Sequence, residues 1–341
     1  MKSFVLGLAL PLLLAFPAFA GVSLKGTGST LAAPLFSLWI NHRAQDQPGV
    51  KMNYQAKDSN EGVNQVLGHG SDFAVIDTPL TDAEEQRTMR RVILHLPVAL
   101  EAVAITYNLP GVPTGLKLTP GVLSDIFLGN IKKWNSIAIK ELNPGLTLPD
   151  MEIQVLHREE ESGLHDLFPA YLAGLDPKWL AKREKEKSLL WPVGEKVKGD
   201  DKVLGKMRLW PGVIAAVDLP FAAQKGLPLA ALKNVAGQFV TPSVDSLEAT
   251  VSDFPNLPDD FQVNLVRSRA KGAYPLCAFS YLLVYQDYAR VYHDHNKGQA
   301  LMDFLNWVFA DGQKKEADLS YGPLPEAFVS QVKEKIQTIK Y

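Results

Sequence analysis

The sequence has only one cysteine, and after its first twenty residues it has no long apolar segment. A lone Cys277 cannot form a disulfide within the chain, and the apolar residues around it predict a buried, unreactive thiol. No later segment has the roughly 20 consecutive apolar residues that a transmembrane helix needs. The sequence therefore predicts neither a disulfide framework nor a membrane-spanning domain.

An excess of positive charge is also lacking. The chain has 35 Lys and Arg residues against 37 Asp and Glu residues, which gives a formal net charge of −2. A slightly acidic balance argues against nucleic acid or an anionic membrane surface as a partner. No nucleic-acid partner is expected.

The motifs of several enzyme classes are missing as well. The segment GTGST (26–30) resembles a phosphate-binding loop but lacks the lysine of a nucleotide P-loop. The histidines show no HExxH spacing, and no Gly-x-Ser-x-Gly elbow is present. We therefore expect no cofactor, no metal and no catalytic residue. A phosphoester hydrolase that uses His157 or His165 remains an alternative.

Residues 1–20 have the pattern of a cleaved secretory signal. Lys2 precedes an almost wholly apolar run at 4–16, and the sequence Ala-Phe-Ala at 18–20 has small residues at the two positions that flank a signal-peptidase cut. We predict cleavage after Ala20 and a periplasmic location. The roughly 320 residues that remain are a natural length for two lobes.

Strand-like and helix-like segments alternate along the rest of the chain. Hydrophobic patterning predicts strands at 49–56, 72–80, 99–109, 152–158 and 278–287, and helices at 61–70, 119–129 and 297–319, with another starting near residue 162. This alternation is typical of an α/β architecture in which helices cover the sheets.

Three hydroxyl residues lie at predicted helix starts. They are Thr30, Ser59 and Ser162, the last followed by Gly163. Each by itself is explained by helix capping, because a side-chain oxygen satisfies a free backbone N–H there. Together, three helix N-termini directed at one place would bind a desolvated oxyanion.

Two charged residues fit the same hypothesis. Arg158, at the end of a predicted strand, would supply a positive charge and a two-pronged grip on an oxyanion, although a surface cation is the alternative. Asp77 suits an anion that carries a proton, such as hydrogen phosphate, because an ionised carboxylate only accepts hydrogen bonds. It would repel sulfate, which has no proton to donate. Capping of the turn before Pro79 is the alternative for Asp77.

At these residues the chain resembles the periplasmic phosphate-binding proteins that feed ABC phosphate importers. GTGSTLAAPLFSLW (26–39), VKMNYQAKDSNEGVNQVL (50–67) and SDFAVIDTPLTDAE (71–84) are similar to successive family segments. LGNIKKWNSIAIKELNPGLTLP (128–149) is a near match to a long family motif. The similarity continues through YPLCAFSYLLVYQD and DLSYGPLPEAFVSQV to the C-terminus.

The resemblance implies a two-lobed periplasmic binding protein type II fold, in which each lobe is a central sheet flanked by helices. We expect lobe 1 to comprise 21–103 and 277–341, and lobe 2 to comprise 104–276, with the anion in the cleft between them. The implied ligand contacts are Thr30, Leu31, Ser59, Asp77, Arg158, Ser162 and Gly163. The implied role of a monomer of this kind is to capture inorganic phosphate, as hydrogen phosphate, and deliver it to an ABC permease in the inner membrane.

The chain departs from the family pattern near the implied site. Leu164 replaces a threonine, Glu61 lies in the second predicted helix start, and Glu159–Glu161 follow the arginine. Additional carboxylates close to an anion oppose its binding. A divergent paralogue that binds another anion, or a phosphate sensor or surface protein, is therefore an open alternative.

Overall fold

The computed structural model describes residues 21–158, 167–169, 171–172, 179 and 192–341, apart from the side chains of Arg158 and Asp200. The predicted signal at 1–20 lies outside the described residues. So does the helix that the sequence predicts near residue 162.

An eight-stranded sheet forms the centre of the molecule, in the order β2-β1-β3-β11-β4-β8-β6-β7. Its strands are β1 Val22–Gly28, β2 Val50–Ala56, β3 Phe73–Ile76, β4 Ile93–Tyr107, β6 Gln154–Arg158, β7 Glu195–Val197, β8 Val213–Asp218 and β11 Cys277–Tyr285. A smaller sheet has the order β10-β9-β5, with β5 Lys117–Leu118, β9 Ala231–Lys233 and β10 Phe239–Val240.

Helices follow most of the strands. In chain order they are α1 Ala33–Asp46, α2 Ser59–Leu67, α3 Asp82–Arg87, α4 Pro120–Phe127, α5 Ile137–Leu142, α6 Asp200–Leu209, α7 Leu219–Lys225, α8 Val244–Val251, α9 Tyr288–Tyr292, α10 His295–Trp307 and α11 Glu326–Ile336. The molecule is therefore an α/β protein, as the alternation of segments predicts. Among the described residues, no helix is long and apolar enough to cross a bilayer.

Strand β4 belongs to both halves of the large sheet. It has 15 residues, and all but the first are buried. Its residues up to Ala102 pair antiparallel with β11, and Val103–Tyr107 pair antiparallel with β8. Burial on both faces explains its nearly continuous run of apolar residues.

The parallel strands on the two sides of β4 point toward each other. β1, β2 and β3 are mutually parallel, as are β6, β7 and β8. Between the two sets, β11 and β4 are each antiparallel to both of their neighbours. The register therefore directs the carboxyl ends of β3 and β8 at the same middle stretch of β4.

Local signals predict several helix ends correctly. The Thr119 side chain caps α4 by accepting the Val122 N–H, and Gly129 just after the helix has a φ of +78°. The expected long helix at 297–319 is instead shorter. It ends at Trp307 and continues as a π-helical turn, Val308–Gly312, and two short 3₁₀ segments.

Two of the expected caps are wrong. Helix α1 begins at Ala33, with Pro34 in its first turn, and no side chain caps it, so Thr30 lies before the helix. Helix α2 is capped by Asp58, whose carboxylate accepts the Glu61 N–H at 2.8 Å. The hydroxyls of Thr30 and Ser59 are therefore not used for capping.

Candidate functional site

The turn after β1 places Thr30 at the carboxyl end of that strand. Gly28 ends β1 with a φ of +130°, and a Cβ there would lie 2.0 Å from the carbonyl oxygen of Val75. Only glycine therefore allows the turn to pass so close to β3. The Ser29 hydroxyl accepts the Ala32 N–H at 3.2 Å and fixes the rest of the turn.

Two tyrosines hold the carbonyl groups of the same turn. The Tyr54 hydroxyl donates to the carbonyl of Ser29 at 2.8 Å, and the Tyr321 hydroxyl donates to the carbonyl of Leu31. Within the described part of the chain, the N–H groups of Thr30 and Leu31 have no acceptor, and the buried Thr30 hydroxyl has no partner. The turn therefore holds three hydrogen-bond donors ready for an acceptor.

Ser59 and Asp77 form a second part of the site. Ser59 is the first residue of α2, and its hydroxyl donates to Asp77 Oδ2 at 3.2 Å. The same Oγ accepts the Asp77 N–H at 3.3 Å. Gly62 lets α2 approach closely, since a Cβ on it would lie 2.9 Å from the Cα of Gly28. The start of α2 is thus fixed against the ends of β1 and β3.

A second carboxyl group lies beside Asp77. Glu101, in the middle of β4, is 1 % exposed, and its carboxyl group lies next to that of Asp77, which is 2 % exposed. The Ser280 hydroxyl donates to Glu101 Oε2 at 2.5 Å. Burial raises the pKa of both carboxyl groups, and the neighbouring Asp77 charge raises the pKa of Glu101 further. The two groups therefore titrate as a pair.

The sheet register brings further strand ends to this point. Asp218 ends β8 and lies opposite Val103, two residues beyond Glu101 on β4. Arg158 ends β6, two residues beyond the pairing of Leu156 with β8, so its backbone lies next to the end of β8. In open α/β sheets, ligands bind outside the carboxyl ends of strands. The middle of β4 is therefore the candidate binding site.

Two cavities flank this point, and the predicted residues are divided between them. Thr30 lines a cavity of about 780 Å³, together with Ser37, Asp218 and Ser320. Asp77 lines a different cavity of about 430 Å³, whose wall includes Arg267. In this conformation, Thr30 and Asp77 thus line different cavities.

The remaining predicted contacts cannot be placed by their side chains. Only the backbone of Arg158 is described, and Ser162 and Gly163 lie outside the described residues, as do Leu164 and 159–161. His165 is outside them too, whereas His157 is described and buried. Glu61 lies on α2 and accepts a hydrogen bond from Gln65 at 2.7 Å, which directs its carboxylate along its own helix.

Sequence reasoning missed Glu101, Asp218 and Arg267. A signal for Glu101 was present, because it is the only charged residue in the apolar run ALEAVAITY (99–107). A lone charge in a strand that is buried on both faces needs a partner. No comparable signal singles out Asp218 or Arg267, whose positions depend on sheet register and on a 3₁₀ turn.

Within the described residues, no group of three or more His, Cys, Asp or Glu side chains could hold a metal ion. The site offers hydrogen-bond donors and carboxyl groups instead. Its chemistry is that of binding a small polar molecule by hydrogen bonds.

Comparisons with known proteins agree with this architecture. A family model described as "PBP superfamily domain" matches residues 17–312. A phosphate-binding protein PstS from Xylella fastidiosa (strain Temecula1 / ATCC 700964) is 35% identical over 315 residues, which cover 91% of this chain and 84% of the relative. A PstS from Pasteurella multocida (strain Pm70) is 31% identical over 322 residues, covering 93% and 90%.

A solved structure shares the fold at lower sequence identity. The high affinity periplasmic phosphate-binding protein PfluDING, bound with phosphate, superposes with a TM-score of 0.69 and 20% identity, and the match covers 92% of this chain and 93% of that one. The structural likeness supports the fold, and the two relatives establish the lineage. The chain therefore belongs to the PBP superfamily and, within it, to the family of the PstS proteins.

Proposed function

We propose that the chain binds inorganic phosphate, as hydrogen phosphate, and passes it to an ABC permease in the inner membrane. The observation that carries this proposal is the convergence of strand ends on the middle of β4. There the donors of the Thr30 turn and the Ser59–Asp77 pair lie close to the end of the strand that bears Arg158. The identity of the proposed ligand comes from the relatives, which are named phosphate-binding proteins.

Each residue has a separate role in the proposed complex. The Thr30 hydroxyl and the Leu31 N–H donate to phosphate oxygens, as does the Ser59 hydroxyl, whereas Asp77 accepts the proton of the ligand. Arg158 balances the charge of the ligand, and Ser162 and Gly163 add donors from the following helix start. Because sulfate carries no proton near neutral pH, its oxygen would meet the Asp77 carboxylate without a hydrogen bond.

Binding closes two lobes around the ligand in this proposal. Residues 21–103 and 277–341 form the first lobe, and 104–276 form the second. The division at β4 is supported by its pairing, which changes from β11 to β8 between Ala102 and Val103. Closure would bring the second lobe, which bears Arg158, toward the Thr30 turn and Asp77 of the first lobe.

The cellular setting is part of the same proposal. The chain is exported, its signal is removed after Ala20, and the mature protein acts as a monomer in the periplasm. It captures its ligand and does no chemistry on it. A solved neighbour from Clostridium perfringens, described as a putative phosphate ABC transporter substrate-binding protein with bound phosphate, shares the fold.

A different anion is the second candidate ligand. The observation that favours it is the set of three buried carboxyl groups, those of Asp77, Glu101 and Asp218. Negative charges this close to the site oppose the binding of a dianion.

A phosphate sensor or surface protein without a permease would bind the same ligand and differ only in its partner.

Calorimetric titration of the 21–341 chain tests the proposal. We expect phosphate to bind with a Kd at or below the micromolar range, and sulfate to bind at least about a hundredfold more weakly. Thr30→Val removes the hydroxyl without changing the shape of the side chain and should weaken phosphate binding about fivefold to tenfold. Thr241→Val, in a loop outside the site, is the matched control and should bind as the unaltered chain does.

Two results would overturn the proposal. One is the absence of phosphate binding while a phosphonate or a carboxylate binds, which would support the second candidate. The other is turnover of a chromogenic phosphate ester that is lost on changing His157 or His165, which would identify a hydrolase.

A further inference from the structure

The carboxyl groups of Asp77 and Glu101, hereafter the acid pair, face each other without a donor between them. Asp77 Oδ1 and Glu101 Oε1 are buried and accept no hydrogen bond from the described residues, whereas Asp77 Oδ2 and Glu101 Oε2 each accept a serine hydroxyl, and the Ser29 hydroxyl also lies close to the Asp77 carboxyl group. Two ionised carboxylates only accept hydrogen bonds, so they cannot satisfy each other. One proton held by the acid pair supplies the donor that the two carboxyl groups lack.

Among the described residues, no cationic side chain pairs with the acid pair. Among the described side chains, no Lys or Arg forms an ion pair with Asp77 or Glu101, and the side chain of Arg158 is not described. The titratable groups that face the pair are Tyr54 of β2, Cys277 of β11, Asp218 at the end of β8 and Tyr321 after α10.

Those neighbours do not supply positive charge at neutral pH. Burial raises the pKa of Tyr54, Tyr321 and Cys277 above their ordinary values, so all three stay neutral. Asp218 adds a further carboxyl group. Among the described groups, a retained proton is therefore what lowers the charge of the acid pair.

We propose that the acid pair shares one proton at neutral pH, and that Glu101 thereby sets the charge that an anion meets at the site. With one proton, the pair has the charge of a lone Asp77 carboxylate and can still accept the proton of hydrogen phosphate. When that proton is lost at higher pH, a second negative charge appears beside the ligand and weakens its binding. This inference rests on the proposed function.

The substitution E101Q separates the two ionisation states. Glutamine has nearly the same shape, can donate from Nε2 to Asp77, can accept from Ser280, and cannot ionise. The variant therefore keeps the charge of the singly protonated pair at every pH above the titration of Asp77. At pH values where the acid pair of the unaltered chain keeps its proton, the two proteins are expected to bind phosphate equally well. At higher pH, where the unaltered chain has lost that proton, E101Q is expected to bind phosphate more tightly.

Phosphate Kd is measured by calorimetry for both proteins from about pH 6 to about pH 9, and the ratio of the two Kd values cancels the ionisation of the ligand itself. We expect the Kd of the unaltered chain, divided by that of E101Q, to rise about tenfold or more across this range. Glu316→Gln is the matched control, because Glu316 is also fully buried and accepts from Gln313. Its ratio to the unaltered chain should stay constant.

Carbon-13 NMR of the glutamate carboxyl groups in the ligand-free protein gives a second measurement. The signal that disappears in E101Q should have the chemical shift of a protonated carboxyl group at neutral pH. An ionised shift for that signal, or a Kd ratio that does not change with pH, overturns the inference while leaving phosphate binding intact. Absence of phosphate binding by both proteins at every pH overturns the proposed function, and this inference with it.

Discussion

Two buried aspartates lie at opposite ends of β3, and their surroundings differ sharply. Asp72 precedes the strand and accepts the Lys25 N–H at 2.7 Å, the Tyr288 hydroxyl at 2.9 Å and the Lys297 ammonium at 3.0 Å. Asp77 follows the strand, and only hydroxyl, amide and carboxyl groups of described residues contact it. The Asp72 carboxylate thus has a donor for each of its oxygens, whereas the Asp77 carboxyl group can accept one further hydrogen bond.

The comparison separates a structural role from a binding role. Asp72 ties the start of β3 to α9 and α10 through a hydrogen bond from Tyr288 and an ion pair with Lys297. Asp77 gains little from ionisation, because burial penalises its charge. Equal burial, at 3 % and 2 % exposed, therefore has opposite consequences at the two ends of one strand.

The same substitution at both ends should change stability in opposite directions. Asp72→Asn leaves the Lys297 ammonium without a carboxylate and should lower the free energy of unfolding by about 3 kcal/mol. Asp77→Asn removes a buried carboxyl group that has no cationic partner among the described residues, and should leave stability unchanged or raise it by about 1 kcal/mol. Urea unfolding followed by circular dichroism measures both. A loss at Asp77→Asn as large as that at Asp72→Asn would contradict the comparison.

A histidine that hydrogen-bonds to the segment after β3, close to Asp77, should make the protein less stable in acid. His95 Nε2 accepts the Leu80 N–H at 3.2 Å, and burial lowers the pKa of His95 to about 4. The unfolded chain binds this proton near pH 6.5, so stability is full above that pH and falls as the pH drops toward 4.

We expect this loss to be about 2 kcal/mol, and to be abolished in His95→Gln, which keeps an acceptor for Leu80. Urea unfolding measured across the same pH interval checks it. His293, which is at the end of α9 and far along the chain from β3, gives the control substitution His293→Gln, and the acid loss should persist there. A similar loss in all three proteins would mean that the pKa of His95 does not differ between the folded and the unfolded states.

The smallest expected effect concerns selectivity. Asp77→Asn gives sulfate a donor in place of a repelling carboxylate, so the ratio of sulfate Kd to phosphate Kd should fall by about tenfold. Competition calorimetry with the two anions measures this ratio. Asp259→Asn, at an exposed position, should leave it unchanged. An unaltered ratio in Asp77→Asn would remove Asp77 from the recognition of the ligand proton.

Much of the fold could be predicted because its signals are local. Thr119 and Gly129 mark the ends of one helix by their own side-chain and backbone preferences, and the apolar run at 73–76 is the fully buried β3. The site was harder to predict, since Thr30 and Ser59 resemble ordinary caps. In the structure, Pro34 lies in the first turn of α1 and Asp58 caps α2. The presence of a nearby hydroxyl residue does not indicate this.

The unpredicted part of the site depends on contacts between distant segments. Glu101 meets Ser280 across 179 residues of chain, because Ala278 pairs with Glu101 in the sheet and a register irregularity follows at Ser280. The same register brings the end of β8 to Val103. The hydrophobic pattern of one segment predicts that it forms a strand. Which strand it pairs with, and in which register, depends on the assembled sheet.

Because β4 is hydrogen-bonded along its length, first to β11 and then to β8, it limits how the two sides of the sheet can move. Sliding one side past the other would break a row of backbone hydrogen bonds at once. In the proposed two-lobed closure, Glu101 lies next to the point where β4 changes its pairing from β11 to β8, so its side chain would move less than residues farther from that point.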